Sequence, residues 1–441
     1  MQGETNGTRS LTRRSALGAL GAAGALAAAA AVAAPVTALA ATSGSCGTGV
    51  TWKLSSGTLT VSGSGAMSDY EYGTQPWFGS ADSITKVVVG SGVTHIGDCA
   101  FEDLTYVSSV SIASTVQTIG DSAFSFIGDY RAGTSKLAEV TIPEGVTSIG
   151  DYAFYHVCGL ASVSLPGTLT SIGKWAFGYD GVCYESELTS ITLPYGLQSI
   201  GVGAFVYAAL ESVVIPPTVT ELGAGAFQGC GSLSSVTFEG DAPTIFDDDG
   251  FCGEWMGFDD DVPYATSIFL GCASTVHYYT NTSGWTASCM DSFSCDVGEN
   301  TPDLTWVGSI GIYRLYNQYS GEHHYTSSIN EYTTLVGLGW TYEGVAWGAP
   351  EDGVFVYRLY NQYSGDHHYS TDVNERDTLV DLGWTYEGVG WCSDGSSGTP
   401  VYRLYNPYAS SFYHHYTTDA NECATLVALG WEDEGVGWYG L

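Results

Sequence analysis

Six of the nine histidines stand in three adjacent pairs, His323-His324, His367-His368 and His414-His415, each followed by tyrosine. Imidazole is a common zinc ligand. Neighbouring residues on a strand point to opposite faces, so no single pair can grip an ion. A threefold axis could gather His323, His367 and His414, but packing and hydrogen bonding are the expected roles, and no metal or other cofactor is assigned. Arg314, Arg358 and Arg403 recur in a YRLYN phrase, and Glu343, Glu387 and Glu434 in an EGV phrase. An Arg–Glu ion pair inside each copy is therefore expected. A run with Asp247, Asp248, Asp249, Glu254, Asp259, Asp260 and Asp261 has oxygen ligands for calcium but not the EF-hand spacing, and a solvated loop is expected. No catalytic residue is assigned, because nucleophile-elbow, HExxH, P-loop and dinucleotide signatures are all missing.

Aromatic residues are the chemistry left over. The first copy has Tyr316, Tyr319, Trp340, Tyr342 and Trp347, and the second has Tyr360, Tyr363, Trp384, Tyr386 and Trp391. The third keeps Tyr405, Tyr408, Trp431 and Trp438 but places Asp433 where Tyr342 and Tyr386 stand. An aspartate in a packed core would carry a burial penalty, so that position is expected to be partly exposed. Tyr342 and Tyr386, beside Glu343 and Glu387, are therefore the candidate residues for stacking on a sugar ring and bonding its hydroxyls.

The elements that must carry these residues repeat with a period of 44 to 45 over residues 311–441, each copy reading strand, turn, strand, short helix, strand. Ser328 with Glu331, Asp372 with Glu375, and Asp419 with Glu422 have capping-box spacing, and Gly339, Gly383 and Gly430 suit the helix ends. Three copies suggest a pseudo-threefold, β-trefoil-like domain. This block resembles a repeat at the ends of secreted bacterial enzymes and surface proteins, which implies a wall- or glycan-targeting appendage.

An earlier array has a shorter period. THIGDCAF, QTIGDSAF, TSIGDYAF, TSIGKWAF, QSIGVGAF and TELGAGAF end at Phe101, Phe124, Phe154, Phe177, Phe205 and Phe227, separated by strand phrases such as LAEVTIP and LASVSLP. A unit of 22 to 23 residues cannot bury its own apolar face, so the units must stack into a solenoid. The phrases resemble the BspA-type leucine-rich repeat, which implies extracellular recognition and no reaction. Residues 41–83 are expected to form a β-hairpin cap, 84–239 the solenoid, 240–296 an acidic loop and closing cap, and 297–310 a linker. Two long insertions bring Tyr130, Arg131, Tyr179 and Tyr184 to the flank, where aromatics and arginine make good binding anchors.

The fold expected is thus mainly β, a capped leucine-rich-repeat solenoid followed by a threefold β-rich domain. Arg13 and Arg14, an Ala-rich run and Ala38-Leu39-Ala40 read as a twin-arginine signal peptide over residues 1–40, removed on export to the cell surface or medium. No later stretch is long and apolar enough to span a membrane. With 47 acidic against 12 basic residues and a net charge of −35, nucleic acid and anionic membranes are excluded as partners. The expected partner is a host or bacterial surface protein or glycan, with a structural surface spacer and a secreted hydrolase as the other readings. Among the 11 cysteines, Cys230 and Cys272 are expected as buried thiols, and Cys289 with Cys295 and Cys392 with Cys423 as disulfide candidates.

Overall fold

A computed structural model describes residues 42–128, 137–179, 186–246, 268–269, 272–286, 290, 293, 303–395, 397–408 and 414–441. The expected signal peptide, the acidic run 247–261 and the Cys289–Cys295 pair lie outside them. Each of the six SIG-type phrases forms a short strand, and these stack in parallel between Gly65–Ala66 and Thr244–Phe246 in an eight-stranded sheet. After a register shift at the first rung, Gly65–Ala66, the alignment is kept from rung to rung, with Ile96, Ile119, Ile149, Ile172 and Ile200 in line and buried. The phenylalanines that follow make a continuous stack behind Trp77, from Phe101 to Phe269, with neighbouring ring centroids 5.0 to 5.8 Å apart. Burying each such ring stabilises the coil by about 2 to 3 kcal/mol.

The turn between strand and phenylalanine is made the same way in each unit. Cys99, Ser122, Tyr152 and Trp175 have φ between +51° and +58°, and Gly203 and Gly225 take the same place at +61° and +63°. On the outer side the Asp98, Asp121 and Asp151 carboxylates each accept the backbone N–H of the equivalent residue one rung on, at 2.8 Å.

The solenoid opens on an antiparallel hairpin, Val50–Ser55 with Thr58–Gly63, whose second strand pairs in parallel with Lys86–Val89. Trp52 packs edge-on against Trp77 over the first layer, which provides the expected cap. At the other end Ala273–Tyr279 pairs on one side with Ser235–Phe238 and on the other with the 14-residue strand Asp303–Tyr316.

That long strand departs from the expected linker. Its first half continues the solenoid sheet, from Ala273 opposite Asp303 to Tyr279 opposite Ser309. Its second half pairs antiparallel with Thr341–Ala349 and His323–Thr326 in the following domain. Leu304 and Trp306 explain the continuity, because both pack against the solenoid core.

The last domain holds three copies of a three-stranded antiparallel sheet, each with one nine-residue helix: Ile329–Gly337, Val373–Asp381 and Ala420–Ala428. Ser328, Asp372 and Asp419 cap those helices as expected. Trp347, Trp391 and Trp438 meet at the centre, with centroids 5.7 to 5.9 Å apart. Beside them Tyr325, Tyr369 and Tyr416 are fully buried and mutually edge-on. Their hydroxyls close a ring: Tyr325 donates to the Tyr416 carbonyl at 2.6 Å, Tyr369 to that of Tyr325 at 2.8 Å, and Tyr416 to that of Tyr369 at 3.4 Å. Threefold order is present, and nothing beyond that order ties the domain to a trefoil. Among the described residues no helix is long and apolar enough to cross a membrane.

Candidate binding surface

The paired histidines do not converge on the threefold axis. Each second histidine meets the first histidine of another copy: His324 with His367, His368 with His414 and His415 with His323, at ring-centroid distances of 4.4 to 4.6 Å. The helix acid behind each pair serves two copies. Glu331 lies 3.3 Å from His324 Nε2 in its own copy and accepts from Arg358 of the next at 2.8 Å. Glu375 stands likewise between His368 and Arg403, and Glu422 between His415 and Arg314.

Each arginine also makes the expected pair within its copy: Arg314 with Glu343 at 3.0 Å, and Arg358 with Glu387 and Arg403 with Glu434 at 2.9 Å. Burial opposes ionisation of Glu331, but its bonds to His324, Thr326 and Arg358 outweigh that and hold the carboxyl well below the usual range. Burial pushes His324, His368 and His415 below their ordinary values, which keeps these rings neutral at physiological pH. Glu322, His324 and His367 bring one ligand atom each within 4.8 Å of one another. Two of them already bond directly, His367 Nδ1 to Glu322 Oε1 at 2.7 Å, so the group is explained as glue between copies.

Tyr342 and Tyr386 have different surroundings. Tyr342 packs against Tyr195 of the solenoid, with ring centroids 4.9 Å apart, and against Tyr332 at 4.7 Å. Beside them the buried Glu239 accepts the backbone N–H of Val345 at 3.3 Å, and Asn281 bonds Gly311 and Ser327. Copy one therefore spends this face on the solenoid. In copy two Tyr386 is 41% exposed, with the Arg376 guanidinium 5.4 Å from its ring. Glu343 and Glu387 are engaged by Arg314 and Arg358.

Aromatic residues that sequence reasoning did not choose are far more open. Tyr319, Tyr363 and Tyr408 are 83 to 85% exposed, and Leu338, Leu382 and Leu429 are 71 to 72% exposed. Their recurrence in all three copies was visible in the sequence, but their exposure was not.

On the solenoid, Tyr130, Arg131 and Tyr184 lie outside the described residues. Tyr179 is 2% exposed, with its hydroxyl donating to the Val157 carbonyl, so it fixes the base of the second insertion from inside. Cys230 and Cys272 are buried thiols whose sulfurs donate to the Phe205 and Phe227 carbonyls, as expected. Cys392 and Cys423 are both free, which corrects the expected pairing: one sits on a strand of copy two and the other is packed in the helix of copy three.

Comparison with known proteins matches residues 75–177 and 125–253 to the BspA type leucine rich repeat region, in six copies. Residues 311–441 match a domain of unknown function, DUF5648. No curated protein matches the chain. Among solved structures, a leucine-rich repeat protein from Eubacterium ventriosum is 22% identical, covering 60% of this chain and 93% of its own, with a TM-score of 0.25. One from T. pallidum is 27% identical, covering 48% and 89%, with a TM-score of 0.33. A leucine rich cell surface protein from Faecalibacterium prausnitzii is 18% identical, covering 57% and 97%, with a TM-score of 0.27.

Proposed function

We propose, from the premise that a BspA-type repeat array is fused to a closed threefold domain, that this chain is an exported, non-catalytic binding protein of the cell surface or medium. The solenoid recognises a protein or cell partner, and the terminal domain attaches to glycan or cell wall. One observation carries this reading. In the terminal domain the paired histidines, Glu331, Glu375 and Glu422, and Arg314, Arg358 and Arg403 are spent between copies, while large apolar side chains stand in water at the same places in every copy. Exposed apolar groups in a repeated pattern mark a surface that meets something.

Tyr130, Arg131 and Tyr184, on the two insertions, are the proposed solenoid contacts, with Tyr179 anchoring the second insertion. Tyr386 and Glu387 are proposed as a glycan contact of copy two, whereas Tyr342 packs at the junction and Glu343 is held by Arg314 and His323. A structural spacer is the second reading, favoured by the unbroken strand Asp303–Tyr316. The test is retention of the full chain, and of a Tyr130→Ala, Arg131→Ala, Tyr184→Ala variant, on immobilised cell walls and on protein and glycan arrays. Ligands lost by the variant support solenoid recognition. A solenoid with no ligand at all supports the spacer, and retention by neither array overturns the binding reading.

A further inference from the structure

The hairpin tip of each copy is a built turn. Asn317 Oδ1 accepts the backbone N–H of Tyr319 at 3.0 Å, Asn361 that of Tyr363 at 2.9 Å, and Asn406 that of Tyr408 at 3.0 Å. The turn fixes where each tyrosine leaves the surface, and the ring then buries almost nothing. A side chain that open contributes little to stability.

The leucines share this end of each copy. Tyr316 lies opposite both His323 and Thr341, so the hairpin tip and the turn that follows the helix are neighbours. In that turn Gly339, Gly383 and Gly430 take φ of +94° to +98° and end the helix, leaving the preceding leucine outside. In copy three the Tyr408 ring stands over this turn, its Cε2 3.3 Å from where a Cβ on Gly430 would sit, whereas the same point at Gly339 and Gly383 is open, so the rings of copies one and two stand further from the turn. That copy has Pro407 in place of Gln318 and Gln362 and a longer tip, yet Tyr408 and Leu429 keep the exposure of their counterparts.

We propose that Tyr319, Tyr363 and Tyr408, each at the same end of its copy as the exposed Leu338, Leu382 or Leu429, form three recurring subsites for a neutral, repeating polysaccharide. The proposal rests on the glycan-attachment reading above and gives that reading its residues and ligand class. A flat phenol ring beside an aliphatic side chain suits the C–H face of a sugar, and its hydroxyl suits the sugar's edge. Residues 311–441 contain no lysine, and all four arginines, Arg314, Arg358, Arg376 and Arg403, are paired with carboxylates, so an anionic chain has little to pair with. One pad presented three times matches a ligand that itself repeats, with avidity supplying what each weak contact lacks.

Affinity electrophoresis of the full chain through native gels containing laminarin, mannan or glycol chitin, three neutral polysaccharides, tests this. At least one should retard the wild type. Each single Tyr→Ala change should weaken retardation roughly three- to ten-fold, and the triple change by about a hundred-fold or more, with an unchanged melting temperature. The triple Tyr→Phe variant, which keeps the ring faces, should retain most of the effect. Equal retardation of the folded triple alanine variant overturns the three subsites while leaving glycan attachment standing. No retardation of the wild type by any of the three overturns the neutral-polysaccharide proposal, and sedimentation of the same protein with whole cell walls then decides whether glycan attachment falls too. If the triple alanine variant instead loses a protein partner or self-association and keeps its retardation, the pads serve protein contact and the proposal fails.

Discussion

Tyr195 and Tyr342 meet edge to face, ring centroids 4.9 Å apart, although 147 residues separate them and they belong to different repeat arrays. Glu239 is buried at the same junction, accepting the backbone N–H of Val345. Copy one of the terminal domain is thereby set apart from its two sisters, since among the described residues it is the copy with solenoid side chains against it.

Gly344 and Gly388 occupy equivalent places, with φ of +105° and +111°, so alanine strains the backbone similarly at both. A Cβ on Gly344 would overlap the Tyr195 hydroxyl, whereas one on Gly388 would meet open space. Gly344→Ala should therefore cost about 1–2 kcal/mol more than Gly388→Ala in thermal or denaturant unfolding. Equal losses would show that this contact is not made in solution.

Glu239 makes the junction sensitive to pH. Burial pushes its carboxyl up to about 7, against the opposing bonds from Val345 and Tyr195. Its folded value lies above the ordinary 4.5, so the folded chain holds a proton that the unfolded chain releases, and stability from this group falls as pH rises from about 4.5 to 7. His324, His368 and His415 act oppositely, losing stability as pH falls below 6.5, but they are common to wild type and variant. Glu239→Gln should gain roughly 2–3 kcal/mol relative to wild type between pH 5 and pH 8. A difference curve flat across that range would contradict the assignment.

Phe177 sits in the ring stack between Phe154, at 5.3 Å, and Phe205, at 5.6 Å. Phe177→Ala removes a layer that both neighbours touch, and should cost on the order of 3 kcal/mol or more. Urea unfolding followed by solenoid tryptophan fluorescence measures it, and an unmoved midpoint would remove Phe177 from the core.

Ser122 holds a left-handed backbone at φ +51° that glycine occupies in two other turns of the solenoid. Ser122→Gly should raise stability by about 0.5–1 kcal/mol, the relief of strain exceeding the added freedom of the unfolded chain. A lower melting temperature would mean that the serine side chain outweighs the strain.

Much of the solenoid is legible in the sequence because its phrases state both what is buried and where the chain turns. Phe101 to Phe227 follow from recurrence alone. The Arg314–Glu343 pair is legible for the same reason, since both residues recur once per copy. Its second partner, Glu422, is not: the acid has capping-box spacing, and sequence cannot say which copy an arginine will reach. Asp433 correctly marks its position as lying outside the core of the terminal domain. What sequence could not supply is that a separate array packs on that position in copy one, leaving Tyr342 half-buried while Tyr386 is 41% exposed. Cys392 and Cys423 show a similar limit, because two cysteines without a spacing motif carry no information about distance.

The tyrosine hydroxyls that run from Tyr325 to Tyr416, Tyr416 to Tyr369 and Tyr369 back to Tyr325 set a rule for how such chains can diversify. A solenoid accepts a duplicated or deleted rung wherever its phrases match, since every rung sees only its two neighbours. The closed ring has no free end at which to add a fourth copy, and deletion of one copy leaves a hydroxyl and a carbonyl facing nothing. Length is thus a heritable variable of the first array, while the count of three in the second can change only by rebuilding the whole circle at once.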